Sequence, residues 1–211
     1  RLATLQVHTR TIKLAEDVNL DKIDYDVDVL VIGAEDFASV LDWNDRSTCI
    51  LFGDGAGACI LTRSAEGGPR FISGELMADG DKYDFITIDK EEGHPSPVLR
   101  MKGSEVFRFV NTYLPPFLKN FCEKSGVTPP EVDFWVLHQA NTRIIDSLFK
   151  RLGVSTDRTL INLENYGNTS AASMVVTLDE AMKEGRVKSG EKIMFTAFGA
   201  GMTLGALLYE A

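Results

Sequence analysis

Apolar runs bounded by turn-forming residues alternate along the chain with stretches of helical periodicity. Continuous apolar runs predict strands at 27–32 and 134–137, where the flanking residues are glycine or polar. Apolar side chains at helical spacing predict a helix over 141–152 that ends at Gly153. The same reasoning predicts strands at 71–77, 159–163, 192–197 and 202–209, and helices at 1–17, 104–126 and 169–178. This alternation predicts an α/β protein.

Three of these elements carry sharper expectations. The strand at 27–32 is apolar at every position but Asp28, which predicts burial on both faces of a central sheet. Pro115 and Pro116 are expected to end or kink the helix that contains them. The segment after Asn168 is small or apolar on every side, so we expect a helix buried all round, with Asn168 as its N-cap.

The glycine-rich stretch at 52–58, FGDGAGA, resembles a phosphate loop at first sight. It lacks the Lys-Ser/Thr pair of a P-loop, and it leads into a strand-like run instead of a helix N-terminus. We therefore expect these glycines to allow close backbone packing at a turn.

Composition limits the classes of function. The 211 residues are 44% hydrophobic, and no apolar run is long enough to span a membrane. The net charge of −9 disfavours nucleic-acid binding. Three cysteines and three histidines are scattered without ligand spacing, which favours reduced thiols, a cytoplasmic setting and no metal site.

Two local features depart from this acidic background. Arg143, Lys150 and Arg151 lie on one face of the helix at 141–152, and that basic face could meet an acidic partner. Trp43 and Arg46 share a polar loop that could bind an anionic ligand. A packed indole beside a surface salt bridge explains that loop at least as well.

His138 is the main chemical candidate because it follows a strand directly, where ligands bind in α/β folds. A histidine there can transfer protons or donate hydrogen bonds near neutral pH. Asn168 at a helix start and the turn at 199–201 also lie at element ends. The glycines of that turn fit exposed backbone N–H groups and a plain hairpin about equally well.

Four motifs now stand in order along the chain: FGDGAGA at 52–58, HQAN at 138–141, GNTSAAS at 167–173 and AFGAG at 197–201. Together they closely resemble β-ketoacyl-acyl carrier protein synthase III, the condensing enzyme that starts fatty-acid synthesis. The resemblance implies a homodimer with a thiolase fold, layered α-β-α-β-α. It implies that residues 1–66 end the first half of that fold and that residues 67–211 form the second half.

The resemblance implies a decarboxylative Claisen condensation of an acyl thioester with malonyl-acyl carrier protein. His138 and Asn168 would be catalytic and donate hydrogen bonds to the malonyl thioester carbonyl, His138 as a neutral Nε2–H donor. The active-site turn, which supplies an oxyanion-hole N–H, would comprise Phe198, Gly199, Ala200 and Gly201. The family has glycine where this chain has Ala200, and the donor survives that change if φ stays negative.

Substrate contacts are implied as well. Coenzyme A and phosphopantetheine thioesters would be substrates, with no resident cofactor, and the tunnel for their arm would be lined by Arg46, Phe107, Ala140 and Asn141. The basic face that starts at Arg143 would dock the acyl carrier protein. The family nucleophile is a cysteine that would lie about three residues before Arg1, so this stretch alone is expected to be inactive.

Two alternatives remain open from the sequence. A related acyltransferase or priming ketosynthase of secondary metabolism would join the acyl group to a different acceptor. A non-catalytic, thiolase-like partner subunit would only bind or dimerise.

Overall fold

The computed structural model describes residues 29–61 and 67–211. Predictions on 1–28, including the first helix, lie outside these residues. Strands and helices follow in the order β1 (Val29–Glu35), β2 (Gly55–Leu61), β3 (Arg70–Ala78), β4 (Ile86–Asp89), β5 (Val98–Met101), α1 (Gly103–Lys124), β6 (Phe134–Leu137), α2 (Thr142–Leu152), α3 (Leu163–Tyr166), α4 (Ala172–Lys183), β7 (Lys192–Gly199) and β8 (Thr203–Glu210). No helix among the described residues is both long and apolar enough to cross a membrane.

The largest sheet has the order β3-β8-β7-β6, with β6 parallel to β7 and the other pairs antiparallel. Helices α1 and α2 cover one face, where Trp135, Phe149 and Leu208 are almost fully buried. Helix α4 covers the opposite face, over Phe134 and Val136. The large sheet is thus covered by helices on both faces, with all four residues of β6 buried, and the predicted α/β class is confirmed.

Helix α4 lies between this sheet and a second one, formed by the antiparallel pair β1-β2. The described part therefore has four layers: α1 with α2, the large sheet, α4, and the β1-β2 sheet. From 172 to 178 no residue of α4 is exposed, as its small and apolar sequence predicted. The division of the chain at residue 66 stays a prediction.

Glycines allow β1 and β2 to approach α4 closely. A Cβ on Gly33 would lie 2.6 Å from the Ala171 carbonyl oxygen, and one on Gly57 would lie 2.8 Å from Val175 Cβ. A Cβ on Gly53 would overlap the Tyr166 carbonyl oxygen. The predicted close packing of the glycine-rich stretch is therefore confirmed.

Several sequence predictions need correction. In the described residues the predicted burial of β1 on both faces is not found, because β1 pairs there with β2 alone and Val29, Leu30 and Val31 are 41–51% exposed. The predicted strand at 159–163 is also wrong. Thr159 forms only an isolated bridge to Trp135, and the helix α3 follows.

The helix α1 runs through Pro115 and Pro116 without ending. Proline 115 cannot donate to the carbonyl four residues earlier, at Asn111. The guanidinium of Arg151 donates to that carbonyl at 2.9 Å and so replaces the lost helical hydrogen bond. A long-range contact, which local sequence rules do not see, keeps the helix continuous.

We predict that Gly53→Ala destabilises the protein by about 1–3 kcal/mol, because the new methyl group must displace backbone. The control is Gly80→Ala, since a Cβ at Gly80 meets nothing within 4 Å. Urea unfolding of the variants and the unchanged chain measures the difference. Equal midpoints for the two variants would contradict the packing described here.

Candidate active site

His138 is positioned by the strand it follows and by two neighbours. Its backbone N–H donates to the Thr196 carbonyl of β7 at 3.0 Å, which extends the β6-β7 ladder by one residue. Its ring packs edge-on against Phe198, with 5.2 Å between ring centroids. Its Nδ1 lies 2.9 Å from the Ser173 hydroxyl oxygen on α4. The ring orientation is therefore set by its own sheet, through Phe198, and by the adjacent α4 layer, through Ser173.

The next residues of the HQAN motif shape the loop. Gln139 is 1% exposed, and its amide nitrogen donates to the Leu137 and Leu160 carbonyls, each at 3.1 Å. Asn141 caps α2 by accepting from the Arg143 N–H at 2.9 Å. The buried Gln139 side chain thus links the 138–141 loop to the segment at Leu160. Asn141 ends the loop, because it is the N-cap of α2.

Asn168 is held by the glycine-rich stretch. Its backbone N–H donates to Leu51 O at 2.8 Å, and its carbonyl accepts from Gly53 N at 3.0 Å. Its side-chain Oδ1 accepts from the Ser170 N–H at 2.9 Å, so the amide NH₂ points away from this bond. Asn168 is not the N-cap that was predicted, because α4 begins only at Ala172. The Asx turn occupies its oxygen and leaves its amide hydrogens available.

His138 and Asn168 line one cavity of about 400 Å³. Three of the four predicted tunnel residues and three of the four predicted turn residues line it too: Phe107, Ala140, Asn141, Phe198, Gly199 and Ala200. Gly201 and Arg46 are not among the lining residues. Most of the remaining wall is apolar, with Val106, Ile144 and Leu99 among its members.

The turn between β7 and β8 has the geometry of a tight hairpin, with Gly199 paired to Thr203. Gly201 has φ +132°, a value that L side chains rarely adopt. Among the described non-glycine residues, only Ser170 has a positive φ, of 47°. Ala200 therefore has a negative φ, which is the condition under which the change from glycine is expected to preserve a backbone donor.

Burial lowers the pKa of His138 from 6.5 to about 4, and the nearby Ser170 carbonyl opposes this by favouring the protonated ring. No carboxylate is a cause of the shift. At neutral pH the ring is neutral, so one nitrogen carries a proton and the other accepts. The site can therefore donate hydrogen bonds without holding a fixed positive charge.

Arg46 and Trp43 are exposed on the loop that precedes β2. Arg100 of β5 anchors this loop through Asp42 at 3.2 Å and Asp45 at 3.3 Å. Arg46 makes no ion pair with any described residue. With respect to the described residues, the loop thus holds an unpaired cation at the surface, outside the cavity lining.

The predicted basic face is exposed on α2. Arg143 lies in the first turn, and Lys150 and Arg151 lie in the last. None of the three forms an ion pair within the part of the chain that the structure describes. Arg151, however, is engaged by the Asn111 carbonyl, so Arg143 and Lys150 are the freer cations.

None of the three cysteines lines the cavity. Cys122 is buried in α1, and burial raises the pKa of its thiol to about 11. Cys49 and Cys59 are half-buried elsewhere. Residues 29–61 and 67–211 contain no cluster of three or more His, Cys, Asp or Glu side chains suited to a metal ion.

Sequence reasoning missed three contributors to the site. Ser173 holds the His138 ring, Leu51 holds Asn168, and Glu35 lines the cavity beside them. Ser173 does lie in the GNTSAAS motif, but its contact with His138 spans 35 residues. The positive φ of Ser170 could not be read from its residue type.

Comparison with known proteins identifies the family. The family model described as "3-Oxoacyl-[acyl-carrier-protein (ACP)] synthase III" matches residues 18–80, and the model of its C-terminal part matches residues 122–211. The chain belongs to the β-ketoacyl-acyl carrier protein synthase III family. This confirms the resemblance inferred from the four motifs.

A curated member of the synthase III family is similar to this chain over most of its length. The chain is 43% identical over 187 residues to "Beta-ketoacyl-[acyl-carrier-protein] synthase III" of Erythrobacter litoralis, which covers 85% of this chain and 57% of that protein. The chain thus spans a little over half the length of the curated relatives it matches.

Solved structures of synthase III proteins confirm the fold. The synthase from Aquifex aeolicus is 42% identical with a TM-score of 0.81, over 87% of this chain and 58% of that one. The priming β-ketosynthase of the R1128 polyketide pathway is 34% identical with a TM-score of 0.76, over 86% and 57%. The thiolase fold expected from the resemblance is therefore present.

The pKa of His138 predicts a pH-dependent stability. Since the folded pKa is about 4 and the unfolded value is 6.5, unfolding takes up a proton between these pH values. The contribution of His138 therefore lowers the free energy of unfolding as pH falls from 6.5 to 4, and this loss levels off below pH 4. We expect His138→Gln to reduce this decline in urea unfolding measured from pH 7 to pH 4.

The matched control is Asn120→Gln, because Asn120 is exposed on α1 and has no titrating group. That variant should keep the pH dependence of the unchanged chain. If the stability of His138→Gln and that of Asn120→Gln decline alike, His138 is not buried in the neutral form.

Proposed function

We propose that the protein to which this chain belongs catalyses the decarboxylative condensation of an acyl thioester with malonyl-acyl carrier protein. One observation carries the proposal. His138 and Asn168 line the same cavity, and Asn168 has its oxygen occupied so that its NH₂ group is the free end. Family membership supplies the reaction class.

Asn168 and His138 are assigned as donors to the thioester carbonyl of the malonyl group. Loss of CO₂ leaves an enolate, whose negative charge develops on that oxygen. Donors aimed at such a position are worth about 10²–10³ in rate each. The apolar wall formed by residues such as Val106 and Ile144 strengthens these bonds by excluding water.

The carbanion then attacks the acyl thioester, and charge develops on a second oxygen. The turn Phe198–Gly201 is assigned to this step, through a backbone N–H. The ordinary φ of Ala200 supports the assignment, because its N–H is not lost by the replacement of glycine.

Phe107, Ala140 and Asn141 are assigned to the pantetheine arm, because they line the cavity near His138. Arg46 is assigned to the phosphates of coenzyme A outside the cavity. Its guanidinium, unpaired with respect to the described residues, and the anchoring of its loop by Arg100 support this. Coenzyme A and phosphopantetheine thioesters act as substrates in this scheme, and no resident cofactor is needed.

Acyl carrier protein is the proposed partner, and α2 is the proposed docking face. In the proposed reaction, phosphopantetheine enters the site attached to an acidic carrier protein. The exposed Arg143 and Lys150 are positively charged and therefore complement its negative charge. Arg151 contributes less, because it stabilises α1. A homodimer and a cytoplasmic location are part of the same proposal and follow from family membership.

We predict that Asn168→Ala slows malonyl-thioester decarboxylation about 10²–10³-fold, because it removes a donor from the developing enolate. Release of labelled CO₂ from malonyl thioester measures this half-reaction, which needs no enzyme nucleophile. His138→Ala should abolish decarboxylation and leave self-acylation of the intact enzyme largely unchanged.

Asn120→Ala is the matched control, since Asn120 is exposed on α1. Its rate should equal that of the unchanged protein. Unchanged decarboxylation in Asn168→Ala would remove the assigned donor role. Equal loss of decarboxylation and self-acylation in His138→Ala would indicate a folding defect instead.

We predict that Arg143→Glu weakens use of malonyl-acyl carrier protein about tenfold or more, and weakens use of a coenzyme A ester much less. The reason is charge repulsion at the docking face. Comparing kcat/KM for the two substrates at several salt concentrations separates docking from chemistry. Lys183→Glu, on α4, is the control for a change of surface charge, and equal losses with both substrates would refute the docking role.

A priming ketosynthase of polyketide synthesis is the second candidate, favoured by the structural similarity to the R1128 enzyme. It shares the decarboxylation step, so the acyl donors and the carrier protein accepted by the intact protein distinguish it. A non-catalytic partner subunit would show no decarboxylation at all.

A further inference from the structure

Ser173 has no role in the proposed chemistry, yet it touches the residue at its centre. It lies in the first turn of α4 and is 2% exposed. Its hydroxyl oxygen lies 2.9 Å from His138 Nδ1, 3.2 Å from Gln139 N and 2.7 Å from Ser170 O. These three contacts hold the buried hydroxyl in one position.

The hydroxyl has a single proton for these contacts. The backbone N–H of Gln139 can only donate, and the carbonyl of Ser170 can only accept. One arrangement satisfies every group: Ser173 donates to Ser170 and accepts from both Gln139 N–H and His138 Nδ1–H. The alternative, donation to His138, leaves two oxygens 2.7 Å apart with no proton between them.

We propose that Ser173 is a positioning residue that orients the His138 ring and determines, by the direction of its hydroxyl proton, which ring nitrogen is protonated. In the free protein this proton points to Ser170, so His138 carries its own proton on Nδ1. The Nε2 atom then reaches the cavity as an acceptor. This reverses the Nε2–H form expected from the sequence.

A carbonyl oxygen in the cavity requires the opposite state. His138 can donate from Nε2 if the Ser173 hydroxyl turns from the Ser170 carbonyl to Nδ1. The ring then gives up its Nδ1 proton and gains one on Nε2 by exchange with water, with no net change in protonation. The expected effect of this change on the rate of decarboxylation rests on the proposed function. The protonation of the free ring does not, because it is a property of the fold.

The direct test is NMR of the ring nitrogens in the full chain, labelled with ¹⁵N-histidine. The chain has three histidines, and His138→Gln identifies the signal of interest. We expect Nδ1–H in the unchanged protein and a shift towards Nε2–H, the form that imidazole favours in water, in Ser173→Ala. Nε2–H in the unchanged protein, or the same form in both proteins, would overturn the proposal.

Thr177→Val is the matched control. Thr177 is a fully buried hydroxyl one turn further along α4, and it contacts Asn162 instead of His138. The variant loses a buried hydroxyl at similar volume and should leave the His138 signal unchanged. A change equal to that in Ser173→Ala would attribute the effect to general loosening of α4 and overturn the specific role.

The second readout is decarboxylation of malonyl thioester. Ser173→Ala should slow it about 10- to 100-fold, the size of effect seen when a metal-binding histidine loses its outer hydrogen-bond partner, whereas Thr177→Val should not. A normal rate together with altered ring protonation would refute the kinetic consequence. If neither the unchanged protein nor any variant decarboxylates, the proposed function fails while the NMR result still decides the role of Ser173.

Discussion

Close backbone packing between the glycine-rich stretch and the segment that leads into α4 is the constraint on which the cavity depends. The backbone of Asn168 bonds to both Leu51 and Gly53, and glycines leave room for this approach. Asn168 is thereby held against the cavity that His138 also lines.

The helix α4 connects this packing with the chemistry. Its outer face touches β1 and β2, its inner face covers the large sheet, and Ser173 in its first turn contacts His138. Small residues at the start of α4 serve both purposes, because they allow close approach on one side and leave a hydroxyl for the ring on the other. The GNTSAAS segment therefore provides both the close packing between layers and the hydroxyl that contacts His138.

Electrostatics separates the interior of the site from its surroundings. Burial keeps His138 neutral, which suits a group that must donate or accept a hydrogen bond without attracting a counterion. Positive charge is kept at the surface, in the loop of Arg46 and on the exposed face of α2. The whole chain has a net charge of −9. The Arg46 loop, proposed for coenzyme A, and the α2 face, proposed for the carrier protein, therefore have a charge opposite to that of the molecule as a whole.

The sequence by itself determined most of the element types, the family, and the nomination of His138 and Asn168, because periodicity and short motifs are local properties. It also predicted the close packing at Gly53 and Gly57, where no side chain fits. Only the tertiary structure decided the rest: the link from Asn111 to Arg151 that keeps α1 continuous, the exposure of β1, and the contact between His138 and Ser173. Each depends on residues far apart in the chain, where a hydrogen-bond partner or a covering layer cannot be inferred from neighbours in sequence.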